Sequence, residues 1–210
     1  MGPTSPPGIT TASLPDTRTR ILDIALELFS EHGFDGTTLQ QIADRLGFTK
    51  AALYYHFRSK DDLLQALVTP AISGLNELVD AHEGLPDTSA HRRQFMEDYL
   101  DYMLRHRRLM TYMVSDLATM AHPAIAAGHA DRRERVAALL AGEGLDFHEQ
   151  VRVSMAFSGI VGVISQYPDA DTAELREALL EAARALLRTR PHRPSPATRA
   201  TATTAAGTGD

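Results

Sequence analysis

The segment TTLQQIADRLGFTKAALYYHFRSK, residues 37–60, constrains this chain more than any other part of it. Thr38 and Gln41 form a T-x-x-Q capping box, and Leu39, Ile42, Ala43 and Leu46 fall on one face at helical spacing. Gly47 tolerates the left-handed backbone that closes a helix, and two residues later Thr49 offers a hydroxyl to cap another. The spacing therefore predicts a second helix over about 50–57. Leu53 and Phe57 face inward at i, i+4, which leaves Lys50, Ala51, Tyr54, Tyr55 and His56 outward. Two short helices joined by a tight turn are the layout of a helix-turn-helix that reads DNA. Small side chains at Ala51 and Ala52 would let the second helix approach base edges closely, while nearby hydroxyl and amine donors hold phosphates.

Charge is distributed to match. Residues 37–60 carry four cations (Arg45, Lys50, Arg58, Lys60) against the single anion Asp44, in a chain whose net charge is -6. Lys50 and Lys60 are the only lysines, and they bracket the predicted reading helix. Residues 61–190 carry thirteen cations and twenty anions, so the acidic part is the part that would point away from DNA. A net-acidic chain with a local basic patch suits a specific reader better than a general polyanion binder.

At 210 residues, 43% hydrophobic and 23% charged, the chain is long enough for one small and one larger unit. The absence of cysteine excludes disulfides, thiolate zinc sites and thiol nucleophiles. The first fifteen residues have no cationic start and no apolar run, and the longest apolar stretch, 156–164, is interrupted by Ser158, Gly159 and Gly162. A cytoplasmic protein with no membrane partner is expected.

Residues 1–15 and 191–210 are dominated by Pro, Thr, Ser, Ala and Gly, and are expected to be disordered tails. Between them no stretch alternates with period two, so the fold class expected is all-α, with about nine helices. Residues 16–62 would form the three-helix DNA-binding unit and 63–190 a helical bundle. The first helix is expected over 17–32, ended by Gly33. A long helix opens after Ser59 with an S-x-x-D cap, and Pro70 and Gly74 are the places where it would bend or break. Further helices are expected over 90–106, 108–120, 123–141, 147–167 and 172–189, the last two opened by the D-x-x-E pairs Asp146/Glu149 and Asp171/Glu174.

The bundle contains a Met- and Tyr-rich set. Met96, Tyr99, Met103, Met113, Met120 and Phe157, with Asp116 as a polar neighbour, would either fill the core or line a pocket for a small organic molecule. The last two helices carry small and apolar residues at helical spacing, which serve equally as intrachain core or as an interface with a second copy. No metalloprotease, P-loop, dinucleotide-binding or nucleophile-elbow motif is present. His122 and His129, spaced i, i+7, would share a face if one helix held both, but they lack a third ligand, so neither a metal nor a cofactor is expected.

These residues carry a family resemblance. Gly33, Thr37-Thr38, Ile42-Ala43, Gly47-Phe48-Thr49, Ala52-Leu53-Tyr54, His56-Phe57 and Ser59-Lys60 resemble the DNA-binding domain of TetR-family transcriptional regulators over about residues 17–68. Phe48 stands where a smaller aliphatic is common, and Ala51 where glycine or proline often sits. The resemblance implies a homodimeric repressor released from a palindromic double-stranded DNA operator by a small-molecule effector. It implies phosphate contacts from Thr38, Tyr54, His56 and Lys60, and base-edge contacts from Gln40, Thr49, Lys50 and Ala51, with Tyr55 nearby. The two C-terminal helices would form the dimer interface through Val151, Met155, Gly162, Leu175, Leu179, Ala182 and Leu186. A net-acidic bundle favours neutral or cationic effectors unless a single inward arginine, such as Arg105, reverses the preference. Two other readings stand beside this one: an all-α enzyme or small-molecule-binding protein that retains a helix-turn-helix, and an architectural DNA binder with no effector.

Overall fold

The computed structural model describes residues 16–142 and 144–187, so both expected tails and the end of the last expected helix lie outside the described residues. Among the described residues the chain is helical and contains no strand. Three helices form the N-terminal head: α1 (Thr17–Gly36), α2 (Leu39–Leu46) and α3 (Lys50–His56). The long α4 (Lys60–His82) leads into α5 (Ser89–Arg105), α6 (Arg107–Ser115), α7 (Leu117–Ala121), α8 (Pro123–Ala126), α9 (His129–Ala141), α10 (Phe147–Gln166) and α11 (Thr172–Leu187).

Local chemistry sets most of these boundaries. Gly33 sits at φ 75°, ψ 166°, so the regular part of α1 breaks where the glycine was expected to end it, and one more turn follows. Thr38 and Gln41 make the reciprocal capping box of α2, and Asp146 and Glu149 make that of α10. Ser59 accepts from the Asp62 N–H to open α4, and Asp171 accepts from the N–H groups of Ala173 and Glu174 to open α11.

Two breaks raise the count from the nine helices expected to eleven among the described residues. Asp116 adopts an extended conformation (φ -109°, ψ 101°) and its carboxylate caps α7, which splits the helix expected over 108–120. Gly128, at φ 73°, splits the one expected over 123–141. In contrast, α4 runs unbroken through Pro70 and Gly74. Gly74 is there for close packing: a Cβ would lie 2.8 Å from the Tyr102 hydroxyl, which donates to the Ala71 carbonyl of the same helix at 2.6 Å.

The apolar interior has two centres. One joins Ile21, Ala25, Phe29, Ile42, Leu53 and Phe57 of the head to Leu63, Leu64, Val68 and Ala71 of α4, and then to Leu109, Tyr112, Met113 and Ile125. The head's core thus continues through residue 62 into the bundle. The other centre joins Val79, Phe95, Tyr99, Leu100, Val136 and Ile160 to Leu175, Leu179, Leu180 and Ala183 of α11. Burying each of the larger apolar side chains contributes on the order of 1.5–3 kcal/mol, so the shared first centre holds head and bundle together more firmly than a linker would.

Candidate functional site

Two places in the molecule have the properties of sites: the outer face of α3 and a cavity in the bundle.

In the head, Leu53 is fully buried and Phe57 nearly so, while Ile42 and Ala43 of α2 are closed off beneath them. The turn between α2 and α3 is fixed by Gly47 in the left-handed region and by the Thr49 hydroxyl, which accepts from the Ala52 N–H at 3.2 Å. This geometry presents Lys50, Ala51, Ala52, Tyr54 and Tyr55 on the exposed face. Tyr55 is 87% exposed. Its ring meets His56 edge-on, and the Lys50 ammonium stands 5.7 Å from the Tyr54 ring centroid. Thr38 and Gln40 are exposed beside this face, although the Thr38 hydroxyl serves the α2 cap and the Gln40 amide donates to Asp44 at 2.7 Å.

Lys60 also has a role inside the head that the sequence does not show. Its ammonium donates to the Phe34 carbonyl at 2.5 Å and to the Asp35 carbonyl at 3.4 Å, and it lies 4.3 Å from the Phe34 ring centroid. These contacts close the end of α1 against the start of α4.

Asp116 is a correction. Expected in the ligand pocket, it instead accepts from the Phe34 N–H at 2.6 Å, the Tyr112 hydroxyl at 3.2 Å and the Thr119 hydroxyl at 3.0 Å. Its other oxygen caps α7 through Ala118 and Thr119. Burial pushes its pKa up, but the bonds from Phe34, Thr119 and Tyr112 outweigh this and hold it below the ordinary carboxylate value. The backbone of Phe34 is therefore held from two sides, its N–H by the bundle and its carbonyl by Lys60.

A cavity of about 290 Å³ opens between α4, α5, α6, α7, α9 and α10. Tyr99, Met103, Met113, Met120 and Phe157, five of the seven residues expected to bind a ligand, line it. Met96 does not: it is buried on the other side of α5, toward a surface hollow against α9 and α11. The lining that sequence reasoning missed includes Leu75, His129 and, above all, Arg132. Arg132 stands in the run ADRRER, which reads as a solvated helix face, and nothing local distinguishes it from Arg133 beside it. Only the packing of α9 turns it inward, to 9% exposure. The inward arginine is thus Arg132, while Arg105 is exposed.

The cavity's polar groups are poorly satisfied. Tyr99 is fully buried and its hydroxyl has no hydrogen-bond partner. Burial raises its pKa strongly, partly offset by Arg132. The Arg132 guanidinium donates to Asn76 Oδ1 at 3.3 Å and forms no ion pair among the described residues, although the nearby Asp131 favours its charge. Burial lowers the pKa of His129, and the charges of Arg132 and Arg133 lower it further.

The expected dimer residues divide. Leu175 and Leu179 are buried in the subunit's own second core, so they form no outer surface. Val151 and Met155 are 41% and 56% exposed, in line with exposed Phe147, Ser158, Gly159 and Gly162 on α10, and Ala182 is exposed on α11. Leu186 is half-buried, and Gly162 also borders the cavity. A Cβ added at Gly159 or Gly162 would meet nothing within 4 Å. Among the described residues no helix is long and apolar enough to cross a membrane.

Residues 21–67 match the family model for bacterial regulatory proteins of the tetR family. The HTH-type transcriptional regulator AcrR of Shigella flexneri is 43% identical over 63 residues, which is 30% of this chain and 29% of that protein. The biofilm operon icaADBC negative transcriptional regulator IcaR of Staphylococcus aureus is 45% identical over 60 residues, 29% of this chain and 32% of that protein. The chain thus matches less than a third of the length of these curated relatives. The structural likeness is broader: the crystal structure of Mycobacterium smegmatis AmtR superposes over 93% of this chain and 96% of its own, with 25% identity and a TM-score of 0.66.

Proposed function

We propose, from the premise that this chain belongs to the TetR family of bacterial regulatory proteins, that it is a homodimeric, ligand-responsive repressor. The observation that carries the reading is the α3 face: a rigidly capped short helix that places Lys50, Ala51, Tyr54 and Tyr55 outward over a closed apolar base. Exposed aromatic and cationic groups on a helix with a small central residue fit a major groove, with Tyr54 and His56 toward phosphates and Lys50, Ala51, Thr49 and Gln40 toward base edges. Repression is the direction borne by IcaR, which is described as a negative regulator.

A single head presents one reading helix, and a two-fold operator requires two. The exposed stripe Val151, Met155, Ser158 and Gly162 on α10, with Ala182 on α11, is our choice for the subunit contact. The cavity is our choice for the effector site. Its wall on α6 and α7 flanks Asp116, whose carboxylate grips Phe34, so a ligand that displaced these helices would move the end of α1. An effector acts by binding the DNA-incompetent arrangement more tightly than the competent one.

Retention of the purified protein on a promoter fragment from its own gene neighbourhood tests the DNA reading, and an unrelated fragment of equal length is the control. Equal retention on both would favour an architectural binder. Met155→Asp tests assembly, because this exposed position tolerates a charge within the subunit. The variant should be monomeric by light scattering and lose operator binding at least about a hundredfold; a folded monomer that binds the full operator normally would remove the dimer from the account.

A further inference from the structure

We propose that the bundle cavity takes an amphipathic monoanion, with its acidic head on Arg132 and the Tyr99 hydroxyl and its apolar body along the methionine wall. This rests on the reading of the cavity as the effector site and adds the chemistry of what enters it.

Arg132 is the first observation. A guanidinium has five N–H donors and cannot lose its charge at neutral pH. Here it is 9% exposed, with the single Asn76 contact at 3.3 Å and no carboxylate paired to it among the described residues. Asp131 favours the charge from a distance but forms no ion pair with it; a buried cation with no direct carboxylate partner is costly, and a planar carboxylate answers its fork with two parallel charge-assisted bonds. Tyr99 is the second, independent observation. Its hydroxyl is buried beside the same cavity with nothing to donate to, which leaves a donor that an acceptor from outside the chain would satisfy.

The rest of the lining selects among acceptors. Leu75, Met103, Met110, Met113, Met120 and Phe157 supply an apolar, adaptable wall that suits a hydrocarbon or aromatic body. Only Arg132 brings a fixed positive charge to the lining. His129, whose pKa is lowered by burial and by the neighbouring arginines, adds none at neutral pH. One charge balances a carboxylate; a dianionic phosphate would leave a second charge buried and unpaired. A quaternary ammonium would be repelled, and an alcohol would meet Tyr99 while leaving Arg132 unanswered.

Calorimetric titration of the full-length protein with decanoate, decanol and decyltrimethylammonium, each below its aggregation threshold, tests this. Decanoate should bind at least about tenfold more tightly than decanol, and the ammonium most weakly. Arg132→Gln should erase the preference for acid over alcohol. Tyr99→Phe should raise the Tm of the unliganded protein, because it removes an unpartnered buried hydroxyl, yet weaken decanoate binding several-fold; a purely structural tyrosine would not give that pair of effects. Equal affinity for acid and alcohol, tighter binding of the ammonium, or an unchanged preference in Arg132→Gln would overturn the anion assignment and leave the cavity as an effector site. Failure of all three probes to bind would overturn the effector site itself, and the anion assignment with it.

Discussion

The α3 face and the bundle cavity are opposites in how their polar groups are arranged. Around α3 the scaffold is closed: Thr38, Gln41, Thr49 and Ser59 satisfy helix ends within three residues of themselves, and the outward groups are simply left in water. In the cavity, the Tyr99 hydroxyl is withdrawn from water with no partner and the Arg132 guanidinium with one, Asn76. A surface reader needs a rigid platform and exposed donors, since its partner arrives already hydrated and charged. A ligand site keeps buried groups unpaired, and the empty protein bears that cost until something binds.

The difference can be broken most forcefully at the platform. Leu53→Ala removes a fully buried side chain from beneath α3 and should cost about 2–5 kcal/mol in denaturant unfolding, with operator binding lost in parallel. A loss below about 1 kcal/mol would mean that α3 does not depend on this core. Next is the link between the two regions. Asp116→Ala strips the acceptor from the Phe34 N–H, the Thr119 hydroxyl and the α7 cap together, and should cost about 1–3 kcal/mol. Asp116→Asn should recover part of the cap but not the charge-assisted bonds. If the link transmits the ligand signal, both variants should still bind ligand while releasing DNA less completely; full release would place the coupling elsewhere.

The same carboxylate predicts a pH dependence. Its folded pKa lies below its unfolded value, so its contribution to stability is complete above the ordinary aspartate pKa and is lost as pH falls through the lowered folded value. Unfolding curves of wild type and Asp116→Asn should therefore converge as the solution is acidified below about pH 4. A constant gap between them down to pH 2 would remove Asp116 from the acid response.

How much could be read beforehand follows the same contrast. The head is specified by neighbours in sequence: capping boxes, Gly47 and the i, i+4 pair Leu53 and Phe57 act within a turn or two, and each appears in place. The cavity is assembled from six helices, and its methionines and aromatics were legible as a class because composition and period point them inward. Which polar residue joins them was not legible. Asp116 stands in the largely apolar run MVSDLATM and Arg132 in the charged run ADRRER, and the tertiary packing of α1 against α7 and of α9 against α5 decides their partners. The bond from Lys60 to Phe34 was not legible for a related reason, since its acceptor is a backbone carbonyl twenty-six positions earlier. Leu175 and Leu179 carry the same period whether the surface they meet belongs to this subunit or another, so only packing assigns them to the interior.

Smaller effects separate the roles on the α3 face. Tyr54→Phe should leave stability within about 0.5 kcal/mol and weaken binding by a similar factor on every duplex, because a phosphate contact carries no base information. Lys50→Ala should change which sequences are preferred more than it changes affinity overall.

Selection of bound duplexes from a random pool, carried out in parallel with the full-length wild type and with the Lys50→Ala and Tyr54→Phe variants, tests the central claim most directly. The account predicts an inverted repeat for the wild type, the same repeat at lower yield for Tyr54→Phe, and a repeat altered within each half-site for Lys50→Ala. Recovery of no preferred sequence by the wild type, or of one unchanged sequence at equal strength by all three proteins, would contradict the claim that α3 reads DNA.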